Sequence, residues 1–283
     1  MSELAETQAA LTAAQKRIAE QAKEIQQLKA QVEQIDRERI EYLQNVSHQL
    51  VAPLNAMKWH IENISSARVG IERARKVLRS VYSQATIAVH LAKNFALMSN
   101  LEADHQLTAL QEGLEEVDLG RLAINLADDF QPLGWDRGLK LEVDQSSFFQ
   151  VPPVLAIKPL ISQVFGNLIE NSIKYSNDNT QIIIKGSYQR SADAVTVTIT
   201  NEGIPIPPEE YGAIFDRGFR SDRARSQYPA GTGFGLYIAK KVIELHQGSI
   251  GVSTDTRGRT VFSVTLSVSK LKERTWTRKP FSS

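Results

Sequence analysis

The chain has 283 residues, 42% of them hydrophobic, which suits about two domains with extensions and a sizeable core. A formal net charge of +1 supplies no overall field for nucleic acid or an anionic membrane. The absence of cysteine excludes disulfides, thiolate nucleophiles and Cys-type zinc sites.

The opening MSELAETQ lacks a basic, apolar, small-residue signal pattern, and no run of about 18 apolar residues follows. A cytoplasmic protein with no transmembrane segment is the expectation. Leu4, Leu11, Ile18, Ile25 and Val32 fall seven apart, and Leu28 and Ile35 add a second seam position. That pattern predicts a parallel dimeric coiled coil over 1–39. The apolar stripe then shifts phase. Leu43, Val46, Leu50, Leu54, Met57, Ile61 and Ile64 continue a helix to about residue 66, and residues 65–70 read as a connection. A second amphipathic helix follows, carrying Ile71, Ala74, Leu78, Val81, Ala85, Leu91, Phe95 and Met98. Two such hairpins from two chains would bury both stripes in a dimeric four-helix bundle over 40–104.

Residues 105–116 read as a linker. From 117 to 269 the texture is mixed. A helix is predicted over 119–130, and another from Pro159 to Tyr175, since proline suits a first helical turn. Ile182–Ile184 and the Val195, Val197, Ile199 alternation read as strands, and Leu236–Leu245 as a helix. Ile250–Ser253 and Val261–Val268 read as a hairpin. This predicts an α+β sandwich with helices on one face of the sheet. The basic run Lys270, Lys272, Arg274, Arg278, Lys279 forms a tail over 270–283.

Four places along this frame could carry chemistry. At 100° per residue the stripe from Leu43 to Ile64 clusters within about 80°, and His48 lies roughly 160° from its centre, facing solvent. Pro53, five residues on, is expected to bend the helix just below it. A lone exposed histidine is more often merely solvated. Asn167 and Asn171 stand four apart with Lys174 beyond, on one helix face. Asparagine is a mediocre helix former, yet exposed or capping amides would also explain the pair. Gly231-Thr232-Gly233-Phe234-Gly235-Leu236 opens a helix. Backbone N–H groups there can approach phosphate, though the same pattern describes a flexible turn. Finally, Asn201-Glu202-Gly203-Ile204-Pro205 ends a strand.

Taken together and in order, these strings resemble the histidine kinases of two-component systems. Val46-Ser47-His48-Gln49-Leu50-Val51-Ala52-Pro53-Leu54 is similar to the phosphoacceptor box S-H-E-L-R-T-P-L. Asn167-Leu168-Ile169-Glu170-Asn171-Ser172-Ile173-Lys174-Tyr175 resembles the N box of the ATPase superfamily shared with gyrases and Hsp90 chaperones. Asn201–Pro205 resembles the G1 box, Ile214–Arg220 the F box and Gly231–Leu236 the G2 box. The resemblance implies a Bergerat-type ATP-binding domain behind the helical hairpin, with ATP and Mg as cofactors. Asn171 would be the Mg ligand, Asn167 and Lys174 would face phosphate, and Tyr175, Asn201 and Gly203 would lie at the base. Residues 207–230 would form a lid from which Arg217, Arg220, Arg223 or Arg225 could reach phosphate.

The implied activity is autophosphorylation of His48 and transfer to an aspartate of a response regulator. A homodimer is implied as well, with a signal arriving through the coil, from an upstream sensor protein for example. Four positions depart from the pattern. Gln49 replaces the usual acid, Ala52 the usual Thr or Asn, Asn201 the usual Asp, and Pro205 a Gly. The alternative is a degenerate kinase that serves as a scaffold for another kinase or regulator.

Overall fold

A computed structural model describes residues 2–65, 70–102, 113–228 and 231–268. The chain divides into two compact units, Met1–His48 and Gln49–Ser283. The first unit is helix α1 (Ser2–Ser65) up to its phosphoacceptor-like box. Ile18, Ile25, Leu28 and Val32 on its heptad seam are all more than half exposed. A single helix gains little from such a seam, because helical stability comes mainly from packing an apolar face. α1 continues through Pro53.

The second unit is built on α2 (Ile71–Glu102), β1 (Glu115–Val117), α3 (Leu119–Gly134), β2 (Lys140–Val143), β3 (Val154–Ala156) and α4 (Lys158–Tyr175). It continues with β4 (Gln181–Gln189), β5 (Ala194–Asn201), α5 (Asp222–Gln227), α6 (Gly235–Leu245), β6 (Ser249–Thr254) and β7 (Thr260–Ser267). Five strands form one sheet in the order β2-β4-β5-β7-β6. β2 runs parallel to β4, and the other pairs are antiparallel. A separate antiparallel pair joins β1 to β3.

The sheet is covered on one side. Along β5, Val195, Val197, Ile199 and Asn201 are buried while Thr196, Thr198 and Thr200 are half-exposed. That alternation is the period-2 signature of one wet face. Ile161, Val164, Phe165, Leu168 and Ile169 of α4 and Ile238, Val242 and Ile243 of α6 supply the opposing apolar layer. Each such side chain contributes about 1.5–3 kcal/mol on burial. Asp118 starts α3 by accepting the Arg121 N–H at 2.9 Å, and Pro159 sits in the first turn of α4.

The expected strands and helices of 117–269 are present, most with longer bounds and the last strand shifted by one residue to Thr260–Ser267. Glu115 and Glu116, read from sequence as the end of a linker, pair with Ala156 and Leu155 instead. β2 and β3 had no sequence expectation, since they are short and lack a clear alternation. Residues 66–69 of the connection read over 65–70, most of the linker and the basic tail fall outside the described residues.

His246 ties α6 to the start of α4. Its Nδ1–H donates to the Val242 carbonyl at 2.8 Å, and Nε2 accepts the Ile157 N–H at 3.1 Å. Both bonds together need the neutral ring, and burial holds its pKa below the ordinary 6.5. The unfolded chain therefore takes up a proton that the folded chain resists. Stability should be full above about pH 6.5 and fall as pH drops toward the folded pKa. Urea midpoints measured at descending pH should decline in that window, and the decline should be shallower in His246→Gln.

Candidate functional site

α4 carries the densest group of polar residues. Asn167 is only 2% exposed, while Glu170, Asn171 and Lys174 along the same helix are half-exposed. At the C-terminal turn the Lys174 ammonium lies 5.5 Å from the Tyr175 ring centroid and 5.2 Å from that of Tyr228. The two tyrosines meet edge to face at 5.4 Å. Burial lowers the pKa of Lys174, Arg220 pushes it the same way, and Glu170 opposes them. Burial raises that of Tyr175.

Tyr228 comes from the stretch expected as a lid. That stretch contains the short α-helix α5, capped by Ser221, whose hydroxyl accepts the Ala224 N–H at 3.3 Å. Arg220 braces it by donating to the carbonyls of Ala224, at 3.1 Å, and Tyr228. Arg223 and Arg225 are exposed, and the Arg217 guanidinium lies 5.8 Å from the Phe234 ring.

The glycine turn meets this helix. A Cβ on Gly231 would lie 3.0 Å from Lys174 Nζ and from the Arg220 guanidinium, and one on Gly235 would lie 3.4 Å from Asn167 Oδ1. Gly233, at φ +73°, passes within 2.8 Å of the Gly218 and Phe219 carbonyls, measured from where its Cβ would be. Only glycine takes that backbone without strain. Leu236 follows, half-buried, in the first turn of α6.

At the other end of the site, Gly203 bridges to Ser176 and lies against the Tyr175 carbonyl. Asn201, 2% exposed at the end of β5, has an Oδ1 with no hydrogen-bond partner among the described residues. A buried amide oxygen without a donor is costly, by about 1–3 kcal/mol, and marks a place where a donor belongs. The arrangement can thus accept an amino group at the Asn201 end. It can hold an anion at the Lys174 and glycine-turn end.

Sequence reasoning did not single out α2 as a neighbour of this site. His90 Nε2 lies 2.8 Å from Asn167 Oδ1, and Asn94 Nδ2 donates to the same oxygen at 2.8 Å. Gln163 joins them, its Nε2 donating to Asn94 Oδ1 at 2.8 Å. The available signal was a doublet on each helix, His90 with Asn94 and Gln163 with Asn167, each four residues apart on one face. Asn167, expected to face phosphate, lies beside the glycine turn and is also engaged by α2. A cleft of about 1170 Å³ runs beside this contact, lined by Lys76 and Arg79 of α2 and by Glu170, Lys174 and Tyr228. His48 is exposed on α1, in the first unit.

Residues 157–270 match the family model described as histidine kinase-, DNA gyrase B- and HSP90-like ATPase. The sensor protein kinase WalK of Staphylococcus saprophyticus subsp. saprophyticus is 29% identical over 247 residues, covering 86% of this chain and 39% of that protein. The sensor histidine kinase WalK of Bacillus subtilis is 27% identical over 256 residues, with the same coverage, 86% and 39%. The chain therefore spans 39% of the length of these relatives. Among solved structures, full-length ShkA in complex with AMPPNP aligns with a TM-score of 0.53 at 20% identity, over 80% of this chain and 45% of that one. That last likeness concerns the fold. No helix among the described residues is long and apolar enough to cross a membrane. The chain is a homologue of the sensor histidine kinases and carries, at residues 157–270, an ATPase domain of the histidine kinase, gyrase and HSP90 type.

Proposed function

We propose that this protein is an ATP-dependent histidine kinase that phosphorylates His48 and passes the phosphoryl group to an aspartate of a response-regulator receiver domain. The observation that carries the nucleotide half is the orphaned Asn201 oxygen, buried at one end of a site whose other end pairs Lys174 with the glycine turn. Adenine's exocyclic amine is a donor that suits Asn201 Oδ1, and the Asn201 amide N–H suits adenine N1. Guanine presents the opposite pattern at both atoms. Gly203 shapes the base of this pocket, and Tyr175 walls it. Lys174, Gly231, Gly233, Gly235 and the N-terminus of α6 at Leu236 supply charge and N–H donors for the phosphates. Asn171 would hold Mg²⁺, a hard cation suited to an amide oxygen, whose charge would offset that of the phosphates.

His48 is the acceptor on this reading because it is exposed within the phosphoacceptor-like box. The second copy is the partner for the α1 seam and for Leu54, Ile61 and Leu78, which are each more than half exposed. Gln49 and Ala52 favour one second reading, a scaffold that binds a regulator without turning over ATP.

Calorimetric titration of the full chain with ATP and Mg²⁺ tests the choice. Binding is expected, and Asn201→Leu should weaken ATP by roughly thirtyfold, the loss of a buried hydrogen bond near 2 kcal/mol. Absence of heat at millimolar ATP would transfer the assignment to the scaffold.

A further inference from the structure

We infer that α2 and the nucleotide compete for Asn167, so that docking of His90 and Asn94 on α4 holds the nucleotide site in a low-affinity state. This rests on the nucleotide site proposed above.

The contact is built rather than incidental. His90 is 6% exposed, with its ring edge-on to Phe130 at 5.4 Å. A Cβ on Gly166 would lie 2.6 Å from His90 Cε1, so the ring occupies space that α4 leaves open only because residue 166 is glycine. Gln163 Nε2 lies 3.2 Å from His90 Nδ1 and 3.4 Å from Nε2, while the acceptor oxygens of Asn167 and Glu170 both stand beside Nε2, an arrangement that suits a proton on Nε2. That proton is given to Asn167 Oδ1, with Glu170 Oε2 also 3.3 Å from Nε2. Asn94 gives the same Asn167 oxygen a second bond and takes one back from Asn167 Nδ2 at 3.1 Å. Both lone pairs of the oxygen are filled. The rim contacts, Arg79 over Trp135 at 5.0 Å and Tyr82 to Asp129 at 3.3 Å, are exposed and contribute little.

The same amide faces the glycine turn, because a Cβ on Gly235 would be 3.4 Å from its oxygen. To serve a phosphate there, Asn167 must turn its N–H outward. That turn breaks the exchange with Asn94 and leaves the His90 N–H without its amide acceptor in a buried site. The cost of breaking these bonds falls on nucleotide affinity until α2 releases. By linkage the reverse also holds, and bound nucleotide favours release of α2.

Three full-length proteins test this by ATP titration: the wild type, His90→Ala/Asn94→Ala, and Gly166→Val. The last leaves the α2 side chains intact and fills the seat of the imidazole. Both variants should bind ATP about tenfold more tightly than the wild type, a typical coupling between two sites. In a background with Trp59 and Trp276 changed to Phe, Trp135 emission reports docking through its Arg79 neighbour. It should shift in both variants before nucleotide is added, and in the wild type only on ATP addition. ATP bound equally tightly by all three overturns the competition and leaves the nucleotide site standing. ATP bound by none removes the nucleotide site itself, and the competition with it. Thermal unfolding of each variant checks that α4 and the sheet are intact. Should the double variant fail that check, Gly166→Val alone decides.

Discussion

Gly203→Ala should destabilise the second unit by more than about 3 kcal/mol, the range reserved for backbone strain and overpacking. The Cβ it adds would lie 1.9 Å from the Tyr175 carbonyl oxygen and 2.8 Å from the Ser176 Cα. Those obstacles are backbone, so no rotamer change relieves them. The strand end and the helix end are also held together by two backbone bonds, Ile204 N–H to the Tyr175 carbonyl at 3.1 Å and Asn177 N–H to the Glu202 carbonyl at 2.9 Å. Separating them to admit a methyl group would stretch both. Gly251→Ala is the matched control. Its Cβ would meet nothing nearer than Ser263 Oγ at 3.5 Å, an ordinary contact. Urea unfolding should show a large fall in midpoint for the first variant and little change for the second. A Gly203→Ala protein with an unchanged midpoint would mean that the α4 and β5 termini do not meet as described.

His48→Gln should abolish incorporation of label from γ-labelled ATP, by more than about a hundredfold, while ATP binding by calorimetry is unchanged. The imidazole is the nucleophile in the proposed transfer, and an amide at that place has no comparable lone pair. The label in the wild type should be acid-labile and base-stable, as a phosphoramidate is. The neighbouring departures sharpen this test. Gln49 cannot take the imidazole proton at neutral pH, so Gln49→Glu should raise the rate about tenfold or more. Ala52→Thr restores a hydroxyl able to orient water, and should shorten the lifetime of the phosphorylated protein. Label that persists in His48→Gln would assign the acceptor elsewhere.

Much of this molecule was legible along the chain, wherever structure follows from neighbours a few residues apart. The α4 helix declares itself by Pro159 and its 3–4-residue spacing, β5 by strict alternation from Val195 to Ile199, and α6 by the apolar residues that follow the glycine turn. The order of the boxes likewise brought Asn167, Lys174, Gly231 and Gly235 to one list, and the fold brings them to one place. What the chain did not disclose depends on long-range geometry. His90 and Asn94 meet Asn167 across 77 and 73 residues, and nothing in their local spacing names that partner. Tyr228 meets the Tyr175 ring only through the tertiary fold, and it is the fold that buries the Asn201 oxygen without a partner among the described residues. Local periodicity determines which face of an element is apolar. Which polar side chain on that face finds a partner, and which is left waiting for one, is decided by how the faces close on each other.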